Sequence, residues 1–116
     1  MCADQVEIVL PKTKWLEETS FTATAYFRTR STKLASTPTT IHYRVDDLHT
    51  GKVLTDWTSA TAASSLNIAI TSTHNEIQSD SNAFERKQLT VQADQGLSTQ
   101  ANGKAVWIVE NLQGIT

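Results

Sequence analysis

Phe21-Thr22-Ala23-Thr24-Ala25-Tyr26-Phe27-Arg28 is the stretch on which the reading of this chain turns. Phe21, Ala23, Ala25 and Phe27 occupy every second position, with Thr22, Thr24 and Tyr26 between them. That period of two puts alternate side chains on opposite faces of a strand, and a helix has no use for it. A strand is therefore expected over Thr19 to Arg28. Two alanines between two phenylalanines leave space above the apolar face, and Trp57 or Trp107 are the expected fillers from an opposite sheet.

The same alternation recurs on both sides of this strand. Gln5 to Leu10 reads as a strand with Val6, Ile8 and Leu10 on one face, stopped by Pro11, which has no N–H for a ladder. Pro38 opens another in which Ile41, Tyr43 and Val45 face the core and His42 and Arg44 face away. Asp46-Asp47-Leu48-His49-Thr50-Gly51 supplies turn formers before a short return strand, Val53 to Trp57, and the pair reads as a hairpin. Leu66, Ile68 and Ile70 mark a fifth strand, Gln88 to Ala93 a sixth and Lys104 to Leu112 a seventh, the last started by the turn dipeptide Asn102-Gly103.

Seven short strands in 116 residues predict one domain over residues 1–116, an all-β sandwich with a single core. A small closed β-barrel is the alternative. Thr71 to Phe84, with His74, Asn75, Asp80, Ser81 and Asn82, lacks periodicity and reads as a long crossover, the connection by which a Greek-key sandwich passes between sheets. Glu85-Arg86-Lys87 reads as a solvated mixed-charge run. The polar segment Thr29 to Thr37 reads as a surface loop or an interface.

Composition narrows the function classes. The chain is 39% hydrophobic and 19% charged, with a formal net charge of −2. Its basic residues are scattered singly, so no footprint for a phosphate backbone is present and no nucleic-acid partner is expected. No apolar run reaches the roughly 20 residues of a membrane helix, and Met1-Cys2-Ala3-Asp4 lacks the basic-then-apolar order of an export signal. Synthesis in the cytoplasm, with no membrane partner, is the expectation. Cys2 is the only cysteine, so the domain is expected to stand without an internal disulfide, and Cys2 itself has no assigned role. Both chain ends are expected to pack against something, a sheet or a partner.

Candidate chemistry is sparse. Asp46, Asp47 and Asp56 form the densest carboxylate group and have the oxygen ligands calcium takes. Aspartates at a hairpin also accept backbone N–H bonds, and that turn reading is preferred. His42, His49 and His74 have no second histidine or cysteine at ligand spacing, so neither a metal nor a cofactor is expected. No Gly-x-Ser-x-Gly elbow accompanies the many serines, and the chain is expected not to be an enzyme. Trp15 lies outside any expected strand face, while Tyr26 and Trp107 fall opposite the apparent core positions of their strands. With Asn75, Asn82 and Phe84 of the crossover they make the candidate surface for a protein partner or a glycan. The competing reading for the tryptophans is that they cap the core.

Thr39-Thr40-Ile41-His42-Tyr43-Arg44-Val45-Asp46, Asp56-Trp57-Thr58, Val91-Gln92-Ala93-Asp94 and Trp107-Ile108-Val109-Glu110-Asn111-Leu112-Gln113-Gly114 resemble the strands of small immunoglobulin-like or fibronectin-III-like domains. More narrowly, from Val6 to Ile115 the chain resembles short structural proteins of tailed-bacteriophage virions. The resemblance implies an immunoglobulin-like Greek-key sandwich acting without catalysis, as a capsid decoration or cement protein or as a neck or tail adaptor. Its partners would be other virion proteins, and it would be oligomeric in the assembly. The chain departs from antibody-type domains in lacking their paired central cysteines. A carbohydrate-binding or adhesion module stacking sugars on Trp15, Trp107 or Tyr26 is the second expectation.

Overall fold

A computed structural model describes residues 5–29, 32–79, 81–94, 96 and 100–111. Cys2, Asp80 and Leu112 lie outside the described residues. The chain is all-β, with eight strands and no helix among the described residues. They are β1 (Gln5–Val9), β2 (Lys14–Leu16), β3 (Phe21–Arg28), β4 (Ile41–Asp47), β5 (Val53–Ala60), β6 (Ser65–Ile70), β7 (Phe84–Ala93) and β8 (Ala101–Glu110). Two sheets result, a three-stranded one ordered β1-β3-β6 and a five-stranded one ordered β2-β8-β7-β4-β5.

The eighth strand is the one the sequence did not announce. β2 is three residues long and runs parallel to the end of β8, with Trp15 opposite Val109. Three residues are too few to display a period, and the ladder is closed by Ile108 N–H donating to Thr13 O and Glu17 N–H to Glu110 O. Other expected boundaries move for similar reasons. β7 begins at Phe84 rather than Gln88, because Glu85 and Lys87 continue the inward alternation of Leu89, Val91 and Ala93. β8 begins at Ala101, so Asn102-Gly103 lies within a strand and is not a turn.

Gly103 is small for a packing reason. A side-chain carbon there would lie 2.8 Å from Val6 Cγ1 and 3.2 Å from the Val6 carbonyl oxygen. β1 of one sheet therefore closes tightly over β8 of the other. At the opposite seam, Asp94 holds a positive φ of 55° and its carboxylate accepts the N–H of Thr39 at 2.6 Å, fastening the end of β7 to the approach to β4.

The core lies between the sheets and includes Phe27, Ile41, Val45, Ile70, Leu89, Val91, Trp107 and Val109. Ala23 and Ala25 are fully buried, as the alternation of β3 requires. Of the two expected fillers, Trp107 is in this core, whereas Trp57 points outward from β5 and is 38% exposed. Trp15 stacks on Phe21 at 4.3 Å between ring centres, and Phe21 meets Trp107 edge-on at 5.4 Å. This three-ring wedge joins β2, β3 and β8 and ties the two sheets together at one end.

Candidate functional site

Two features collect the polar and exposed side chains: a buried network beneath the crossover, and the open outer face of the five-stranded sheet. The crossover between β6 and β7 is held by residues pointing into the protein. Asn75 is fully buried. Its Oδ1 accepts the Trp107 indole N–H at 2.7 Å, and its Nδ2 donates to Thr19 O at 2.5 Å. Its own carbonyl accepts Glu18 N–H at 2.8 Å. Asn75 is therefore a core anchor rather than a surface contact, and Trp107, expected to face outward, is fully buried.

Glu85 and Lys87 correct the expectation of a solvated charge run. Both are fully buried, and only Arg86 between them is exposed. Glu85 accepts Gln78 N–H at 2.7 Å, Ser79 N–H at 3.0 Å and the Asn82 amide at 2.8 Å, clamping the crossover onto β7. Lys87 Nζ donates to Glu85 Oε1 at 3.0 Å and to Glu76 O at 2.8 Å, and lies 3.8 Å from Asp47 Oδ1. Burial alone would raise the Glu85 pKa. The bonds from Gln78, Asn82 and Lys87, with the Lys87 charge, outweigh it and hold the carboxyl below its ordinary range.

The three aspartates of the hairpin do not converge. Asp47 is buried and accepts His49 N–H at 3.2 Å and the Thr50 hydroxyl at 2.6 Å. Asp46 pairs with Arg44 through both oxygens, at 2.8 and 3.1 Å, and Asp56 accepts Trp57 N–H. Among the described residues, no group of three histidine, cysteine, aspartate or glutamate side chains is placed to hold a metal.

Two of the histidines, His74 and His49, have local work. His74 Nδ1 accepts Thr71 N–H at 3.0 Å, which places the ring proton on Nε2, 2.6 Å from Thr55 Oγ1. Burial lowers the His74 pKa. His49 Nδ1 accepts Arg86 N–H at 2.9 Å while Leu48 N–H donates to Arg86 O, so the hairpin tip continues the ladder of β7. His42 faces outward beside its register partner Gln92.

The outer face of the five-stranded sheet carries five of the eight exposed large apolar side chains among the described residues. Leu16 of β2, Val53 and Trp57 of β5, Phe84 of β7 and Val106 of β8 are all exposed there. At its centre the Arg44–Asp46 pair lies beside Trp57, with the guanidinium 6.0 Å from the ring. At one end a shallow cleft of about 260 Å³ is lined by Lys14, Ala83, Phe84, Arg86, Ile108 and Glu110. Arg86, Ile108 and Lys14 are neighbours in one cross-strand row, which sets a cation on each side of an apolar floor.

Of the expected partner surface, Phe84 lies on this face, with the His49 ring edge-on at 5.4 Å. Tyr26 is half-buried on the outer face of the other sheet, where Arg28 lies 5.4 Å above its ring. Trp15 is half-buried on Phe21 and donates its indole N–H to Lys12 O. Asn82 is turned toward Glu85, and its carbonyl accepts the Asn111 side chain. Val106, which the sequence reading left out, and Trp57, expected as a core filler, belong to the outer face. Their signal was parity: once Trp107 and Val109 are inward, Val106 must be outward.

Comparison with protein-family models, curated proteins and solved structures finds no match to this chain.

Proposed function

We propose that this chain is a noncatalytic structural protein of a tailed-bacteriophage virion, made in the bacterial cytoplasm, and that it binds other virion proteins through the outer face of its five-stranded sheet. Capsid decoration or cement, or a neck or tail adaptor, are the positions this reading covers. The observation that carries the binding part is the gathering of Leu16, Val53, Trp57, Phe84 and Val106 on one open sheet face. Polar residues lie between them, as Gln88 and Asp46 do between Val106 and Val53, and such mixed apolar and polar exposure on one sheet face favours protein recognition. The virion part rests on the resemblance of the strand sequences.

The finer fold reading belongs to the same proposal. Strand order β1-β3-β6 against β2-β8-β7-β4-β5, with connections that change sheet after β1, β2, β3, β5 and β6, supports an immunoglobulin-like Greek key. Such a sandwich serves many tasks, so the sheet face and its partner decide the function. A glycan-binding module is the second reading, favoured by Trp57 standing exposed beside the Arg44–Asp46 pair.

Sedimentation of the purified chain with intact phage particles, and with separate capsid and tail proteins, tests the proposal. Saturable capture by one assembly is expected, and capture should weaken when Phe84→Asp or Val106→Asp is introduced. Absence of the chain's peptides from purified particles, with no capture, would overturn it.

A further inference from the structure

Lys87 is a buried nucleophile that the proposed binding function does not use. It and Asp47 are direct register partners on β7 and β4, and both side chains turn to the inner face of the sheet. Lys87, Asp47 and Glu85 are all fully inaccessible to solvent. Nζ lies 3.8 Å from Asp47 Oδ1 and 3.0 Å from Glu85 Oε1. An amine, a carboxyl group and a second carboxylate thus share one dry site, in a chain whose lone cysteine provides no internal disulfide.

We propose that Lys87 and Asp47 join in an intramolecular amide bond that the folded chain forms by itself, with Glu85 relaying the protons. The balance closes on the residues present. Nζ gives a proton to Glu85, which passes it to Oδ2 of Asp47, and the freed lone pair attacks Cγ of the neutral carboxyl. Negative charge collects on Oδ1, which His49 N–H already reaches at 3.2 Å. Nζ then gives up a second proton. Oδ2, which accepts the Thr50 hydroxyl at 2.6 Å, departs with the two released protons as water. One ammonium and one carboxylate become one amide and one water, with no oxidant or co-reactant. Holding amine and carboxyl in adjacent register replaces a bimolecular encounter, and exclusion of solvent favours condensation over hydrolysis.

The product finds its hydrogen bonds waiting. The new amide N–H has Glu85 Oε1 and Glu76 O as acceptors, and the new carbonyl keeps the His49 N–H. Glu85 remains ionised, with the Gln78 and Ser79 N–H groups and the Asn82 amide still bonded to it. The reaction removes a buried cation and a buried anion together, relieving two desolvation costs. This step goes beyond the proposed function and stands or falls separately from it, because its readout is the mass of the isolated chain.

The test is intact-mass spectrometry of the purified full chain, followed by fragmentation of its tryptic peptides. The expected result is a species lighter than the sequence mass by one water, with a branched peptide linking Lys87 to Asp47. Lys87→Met and Asp47→Ala should each restore the full variant mass, and Glu85→Gln should retain it or convert slowly. Asp47→Asn should reach the same linked product by releasing ammonia. A wild-type chain at the full sequence mass, while folded by circular dichroism, overturns the proposal without recourse to any variant. A water loss that persists in Lys87→Met also overturns it, since the dehydration would then lie elsewhere.

Discussion

Trp107 Nε1 donates to Asn75 Oδ1 at 2.7 Å inside the protein, joining the longest inward side chain of β8 to the crossover between β6 and β7. Through the Thr19 and Glu18 bonds of Asn75, this contact also fixes the chain as it enters β3. Asn75→Ala leaves the buried indole N–H and the part-buried Thr19 carbonyl without these partners. A loss of about 2–3 kcal/mol is expected in urea unfolding. A change within experimental error would mean that the crossover is not held by this bond.

Gly103→Ala pushes a methyl group against Val6 Cγ1, where 2.8 Å leaves no room. Destabilisation of about 1–3 kcal/mol is expected from overpacking. Adding Val6→Ala should recover part of that loss, and a double-mutant cycle measures the coupling. Strict additivity of the two changes would show that β1 does not close over Gly103.

The pH dependence of stability has a definite sign. Glu85 is held below its ordinary value of 4.5, so the stability it contributes is present above that pH and is lost as the pH falls through the folded value. Glu85→Gln should flatten this acid limb in denaturation series and, by removing one of the two carboxylates beside buried Lys87 and one acceptor of the loop N–H groups, cost about 3 kcal/mol at neutral pH. An unchanged acid limb would exclude Glu85 as its source.

His74 acts in the same direction at higher pH. Its pKa is lowered from 6.5, so folding favours the neutral ring, and stability declines as the pH falls below 6.5 and through the folded value. Protonation at Nδ1 also removes the acceptor of Thr71 N–H. Substituting His74→Gln should abolish this step between neutral pH and the Glu85 limb.

Legibility differed by residue. Phe21 to Arg28 announced its strand because every inward position is apolar and every outward one but Tyr26 is threonine or arginine. β7 was read short because Glu85 and Lys87 are charged. Parity from Leu89 backwards places both inside and their charge argues for solvent; the ion pair and loop N–H groups that decide between the two come from the fold. Trp107 was misplaced because β8 carries apolar residues on both parities, Trp107 and Val109 against Val106 and Ile108. One strand alone has no means of choosing between two apolar faces; the opposite sheet chooses. Asn75 carried no local signal, since its partners Thr19 and Trp107 are distant in sequence.

Phe84, Val106 and Trp57 should be dispensable for folding, because all three point away from the core. Substitution of each by aspartate is expected to change stability by less than about 0.5 kcal/mol, the range of ordinary surface changes. Cooperative loss of structure in any of them would place that side chain in the fold instead of at an interface.

The central claim is that the outer sheet face binds a virion protein, and copy-number proteomics on purified particles, paired with sedimentation of added chain, tests it most directly. The account predicts a fixed copy number and saturable capture that Phe84→Asp weakens while circular dichroism stays unchanged. A chain that remains free in the supernatant at every ratio, and contributes no peptides to the particles, contradicts it.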